Sequence, residues 1–164
     1  MIAQSNVHLP YSTVNPFAFE PAIAPHIAAQ QANVDISLPL IKYHFETIAK
    51  QADAVVVEGA GGWLVPLNDQ QTMADLAVEL NLPVVLVVAI KLGCINHALL
   101  SVEAIEQRGL KLAGWVANHL SQQNESVEII ATLKQHITAP CLGIVPELAT
   151  GQSSADYLCR EDTP

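Results

Sequence analysis

The chain has 164 residues with a formal net charge of −9, and 51% of its residues are apolar while only 14% are charged. That length and apolar content suit one folded domain with a sizeable core and exclude general disorder. The acidic balance argues against nucleic acid or an anionic membrane as partner, since both need a positive surface, and the seven Lys and Arg residues form no basic run.

The stretch to about Gln31 is rich in proline (Pro10, Pro16, Pro21, Pro25) and reads as a loop-rich lead-in with a short helix near His26 to Gln31. From Leu38 to Ala52 the residues Ile41, Phe45, Ile48 and Ala52 recur at helical spacing. Ala54-Val55-Val56-Val57 is then a short β-branched run of the kind that forms a buried parallel strand, and it stops at Glu58-Gly59-Ala60-Gly61-Gly62. Thr72 to Leu80 predicts a short helix, with Thr72 and Asp75 at capping-box spacing. Val84 to Ile90 is a second buried strand. A helix from about Asn96 to Arg108 carries Ala98, Val102 and Ile105 on one face and stops at Gly109. Leu112 to Ala117 is a third strand. Glu125 to Ile137 is a helix with Val127, Ile130, Leu133 and Ile137 inward, and Cys141 to Val145 is a fourth strand. The tail after Thr150 is polar and reads as loosely held. Alternating strands and helices with short connections predict an α/β fold: a parallel sheet with helices on both faces, in a single domain over residues 1–164.

Three cysteines, an odd number without CxxC spacing, suggest a reducing compartment rather than a disulfide framework or a zinc site. The first six residues show neither a basic nor an apolar leader segment. The longest apolar run, about Pro83 to Ile90, is far short of the roughly 20 residues of a membrane helix. Together these features predict a cytoplasmic protein. The six histidines show no metal-ligand spacing. The motifs GxSxG, GxGxxG and GxxxxGK[ST] do not occur in these 164 residues.

In open parallel sheets, ligands bind beyond the C-terminal strand ends, and three such ends stand out. At Glu58-Gly59-Ala60-Gly61-Gly62 a carboxylate suits magnesium and glycines allow close approach of phosphates. The plainer alternative, a strand-terminal turn with Glu58 in water, is equally open. Lys91-Leu92-Gly93-Cys94-Ile95-Asn96-His97 links a strand to a helix start, where amide groups attract a carboxylate or phosphate. Within it, Cys94 reads as a small buried thiol, Asn96 as a helix cap and His97 as a capping or packed residue rather than an acid-base group. Lys91 either positions an anion or closes the strand end. Asn118-His119 offers an amide able to read the edge of a base, or simply a turn.

Taken in order, Val57 to Trp63, Lys91 to Ala98 and Ala113 to Asn118 resemble the ATP-dependent dethiobiotin synthase family. Thr13 to Phe17, Pro25-His26 and Gly143 to Leu148 add to the likeness, which runs from about Tyr11 to Leu148. The resemblance implies a P-loop-type α/β fold, a homodimer, and a reaction that joins diaminononanoate and CO2 (or bicarbonate) at the expense of ATP, with Mg2+. It implies ATP contacts at Glu58, Gly59, Ala60, Gly61, Asn118, His119, Pro146, Glu147 and Leu148, and a magnesium ligand at Glu58. It further implies a substrate-carboxylate site at Gly93, Cys94, Ile95 and Asn96, offered to the partner subunit. The family's P-loop strand, its lysines and its aspartate metal ligand have no match in these residues. The chain is therefore expected to correspond to the C-terminal portion of that fold, with no catalytic residue of its own and weak or no activity alone. The alternative is a non-catalytic chain that pairs with a complete synthase and regulates it.

Overall fold

The computed structural model describes residues 4–120 and 126–158. The chain packs as two compact units, Met1–Asn81 and Leu82–Pro164.

The first unit is helical. It contains α1 (Tyr11–Val14), α2 (Pro25–Ala32), α3 (Leu38–Ala49) and α4 (Met73–Leu80). Its core gathers Ala29, Ile36, Leu38, Leu67 and Leu76, with Phe17, Phe19, Ile41 and Met73 packed against them. Pro25 and Pro39 sit in the first turns of α2 and α3, where a missing N–H costs nothing. The Ser37 hydroxyl oxygen accepts from the Leu40 N–H, capping α3. That helix ends at Ala49, earlier than its apolar spacing predicts. The Gln51 side chain turns back to donate to the Thr47 carbonyl, one of the orphan acceptors of the last turn. Helix α4 starts as expected. The Asp75 carboxylate accepts from both the Thr72 N–H and the Thr72 hydroxyl, each at 2.7 Å. Lys42 on α3 pairs with Glu79 on α4 at 2.7 Å. The hydrogen bond to Glu79, and then its charge, hold the Lys42 ammonium above its ordinary range. Both side chains are exposed, so the pair adds little stability.

The expected strand at Ala54–Val57 does not form. No backbone group of this run bonds to another backbone group among the described residues. Val56 is 86% exposed. The run has strand composition, but β-propensity measures fit to a neighbouring pleated surface, and no strand lies beside it among the described residues.

The second unit is α/β. Its strands are β1 (Val84–Ile90), β2 (Leu112–His119) and β3 (Cys141–Val145), and its helices are α5 (Cys94–Gln107) and α6 (Ser126–His136). The strands lie parallel in the order β1-β2-β3. Val88, Ile90, Trp115 and Ala117 alternate onto one sheet face and form a single core with Cys94, Ala98 and Val102 of α5 and Ile130 and Leu133 of α6. Both helices therefore cover the same face. On β1, Val85 and Val87 alternate to the other face and are exposed. Ile130, Leu133 and Ile137 are buried as expected, whereas Val127 is exposed. It precedes Leu133 by six positions, which at 3.6 residues per turn puts it about 120° around the helix. The expected helix start at Glu125 lies outside the described residues. Gly114 is a packing requirement, because a Cβ there would come within 2.6 Å of the Leu142 side chain.

No helix among the described residues is long and apolar enough to cross a membrane.

Leu133→Ala, which empties a fully buried position, should cost about 2–5 kcal/mol in urea unfolding. Val127→Ala should stay within about 0.5 kcal/mol. Equal losses for the two variants would contradict the observed facing of α6.

Candidate functional site

The C-terminal ends of the three strands form one edge of the second unit, and the register fixes what meets there. Ile90 pairs with His119, Ala89 with Asn118, and Asn118 in turn with Val145. The strand β2 thus runs two residues further than its apolar pattern predicts, because Asn118 finds ladder partners on both sides and His119 one on β1. Asn118 and His119 are half-buried on its last turn of pleat. Pro146, Glu147 and Leu148 follow Val145 directly on one side. Lys91 follows Ile90 on the other. Neighbouring strands are about 4.8 Å apart, so the Asn118-His119 pair sits between the loop after β3 and the turn after β1.

That turn is built around Gly93, whose φ of +85° suits glycine. The Cys94 N–H donates to the Lys91 carbonyl at 3.0 Å and the His97 N–H to the Gly93 carbonyl at 3.3 Å. Helix α5 begins at Cys94 with Gly93 as its cap, so Asn96 is inside the first turn and does not cap it. The N–H groups of Ile95 and Asn96 donate to no backbone acceptor among the described residues. They are the orphan donors of a helix start, and they carry its partial positive charge. Cys94 is buried and packs in the core, as a structural thiol does. His97 and Lys91 are exposed.

Glu58, Gly59, Ala60 and Gly61 belong to the first unit. All are exposed, and their backbone N–H groups donate to no backbone acceptor among the described residues. The turn is shaped by close contacts. A Cβ on Gly59 would meet Met73 at 3.3 Å, and one on Gly61, at φ +85°, would meet Val65 at 3.1 Å. The Met73 N–H donates to the Val65 carbonyl at 2.9 Å, pinning the far side of the loop. The result is a row of free amide donors beside one carboxylate. Among the described residues no group of three or more His, Cys, Asp or Glu could hold a metal. A lone carboxylate such as Glu58 fits magnesium, which keeps several waters and is commonly held by one or two carboxylates together with substrate phosphates. It does not fit a caged zinc site.

Sequence reading missed the tail. The loop after β3 closes on itself: the Ala149 N–H donates to Gln152 Oε1 at 2.8 Å, and the Gln152 N–H to the Ala149 carbonyl at 3.0 Å. A short 3-10 helix, Ser154–Tyr157, follows, and Leu158 bridges back to Gly143 in antiparallel sense. The available signal was a glycine inside the strand Cys141–Val145, which marks a close backbone approach.

Parallel strands joined by helices and ending at a common edge define an α/β protein of the kind that binds ligands beyond its C-terminal strand ends. In agreement, the AAA domain family model matches residues 3–153, placing the chain in the P-loop class. The chain is 53% identical over 163 residues to the ATP-dependent dethiobiotin synthetase BioD of Cellvibrio japonicus, covering 99% of this chain and 72% of that protein. It is 51% identical over 157 residues to the protein of that name from Pseudomonas paraeruginosa (94% of this chain, 69% of that one). With the same-named protein of Chromohalobacter salexigens it shares 47% over 172 residues (95% and 73%). The chain belongs to the ATP-dependent dethiobiotin synthetase family of ligases.

Gly93→Ala isolates the cost of the turn, since a Cβ there meets nothing within 4 Å. The variant should lose about 1–2 kcal/mol through its left-handed backbone alone, and Gly93→Asn less. Urea midpoints of the two variants check this.

Proposed function

We propose that this chain serves as a cytoplasmic, homodimeric dethiobiotin synthase of biotin biosynthesis. Diaminononanoate takes up CO2 on one amine as a carbamate. ATP transfers its γ-phosphoryl group to that carbamate. The second amine attacks the activated carbon, closing the ureido ring and releasing phosphate, with ADP as the other product. The observation that carries this reading is the pair of glycine turns with free amide donors, at Glu58–Gly61 and at Ile95 and Asn96 after Gly93, in a chain about half identical to the named synthetases along nearly its whole length.

Each group has a role the chemistry requires. The Glu58–Gly61 amides lie along the ATP phosphates, where oriented donors stabilise charge on the transferring group. Glu58 would hold Mg2+, which when bound neutralises phosphate charge. Asn118 and His119 take the adenine edge, and Pro146, Glu147 and Leu148 complete its pocket. Gly93, Cys94, Ile95 and Asn96 hold the substrate carboxylate through the α5 amides, for the partner subunit's site. Phosphate contacts within these residues rest on one turn without a lysine, so the chain alone binds ATP weakly and turns over slowly.

Incubating the purified chain with Mg2+, ATP and bicarbonate, with and without diaminononanoate, tests this. Slow ADP release that depends on diaminononanoate and yields dethiobiotin is expected. Glu58→Gln should cut that rate at least about tenfold, as loss of a transition-state charge contact does. A chain that binds neither diaminononanoate nor ATP would sink the proposal.

A further inference from the structure

The loop after β3 leaves the C-terminal edge at Val145 and returns to the same strand at Leu158. Compact loops whose ends meet behave as single packed bodies. Three devices inside this one favour closure. The Ala149–Gln152 exchange of hydrogen bonds staples its first part. Gly151, at φ +91°, reverses the chain. The Ser153 hydroxyl accepts from the Ala155 N–H at 3.2 Å and starts the 3-10 turn. What ends the loop is the seat at Gly143. A Cβ there would run into the Tyr157 carbonyl oxygen, and it would lie 2.9 Å from Leu158 Cδ2. Only a glycine lets the tail lie flat on the strand.

We infer that Gly143 and Leu158 form a clasp whose closure sets the position of Pro146, Glu147 and Leu148, and through them the affinity for the nucleotide base. The inference rests on the assignment of those three residues to the base pocket made above, and it adds positioning residues outside that pocket. Gly143 and Leu158 act here as positioning residues. They act by keeping the loop in the one conformation that presents it. A ligand that needs the closed loop is bound more weakly in proportion to the closed fraction, so opening nine loops in ten raises its dissociation constant about tenfold. A ligand held only by the phosphate contacts is indifferent to the clasp.

The test compares the full chain with Gly143→Ala and, should that variant fold poorly, Leu158→Asn, with Leu158→Met as the conservative control. Hydrogen exchange should quicken across residues 146–158 in the first two variants and not in the third. Affinity for Mg-ATP should fall about tenfold in the same two, while affinity for inorganic tripolyphosphate, which lacks the base, stays unchanged. A general loss of structure would weaken both ligands together and overturn the inference. Unchanged exchange in Gly143→Ala overturns the clasp itself. A parent chain that shows no preference for ATP over tripolyphosphate, including one that binds neither, overturns the base role and with it the assignment of residues 146–148, whatever the exchange shows.

Discussion

The second unit depends on the packing of one sheet face. Val88, Ile90, Trp115 and Ala117 alternate onto that face and meet α5 and α6 in a single core. Since strand side chains alternate, a one-residue slip would turn every one of them away from the helices. Burial therefore fixes the register, and the register fixes the edge. Once Ile90 is held beside His119 and Asn118 beside Val145, the turn at Gly93 and the loop at Pro146 have no freedom about where they begin. The polar groups at this edge owe their placement to the apolar residues packed behind them.

The two glycine turns reach a similar electrostatic result by different routes. At Gly93 the free donors come from a helix start, whose amides have no partner by construction. At Glu58–Gly61 they come from an irregular loop pressed against Met73 and Val65, with no helix behind it. The first is rigid because α5 is anchored in the core by Cys94 and Ala98. The second is held by its own small contacts. The carboxylate beside it, Glu58, is exposed.

Legibility in the sequence followed how far a residue's fate is decided locally. Val84–Ile90 could be read to the residue, because a charge-free β-branched run between Pro83 and Lys91 has few other uses. The Thr72–Asp75 cap and the Gly109 stop were equally plain, each being local stereochemistry. Ala54–Val57 has the same composition as a true strand, but a strand exists only with a neighbour, and that is not written in the run itself. Val127 failed for a subtler reason: apolar spacing near a helix end does not say which of two faces is inward. At the site, the glycine turns and Asn118 stood out by residue type. The extension of β2 through His119 and the return of Leu158 to Gly143 are pairings between distant positions, visible only once the sheet is assembled.

The strand order β1-β2-β3 has a kinetic side. Among the described residues β2 pairs with β1 and β3 with β2, and α5 and α6 lie in the two connections. Contacts of short sequence separation cost little loop-closure entropy, so these three strands can be added one after another. Among parallel sheets, which are usually slow to assemble, such an arrangement shortens the time during which apolar strand edges stand open to other chains.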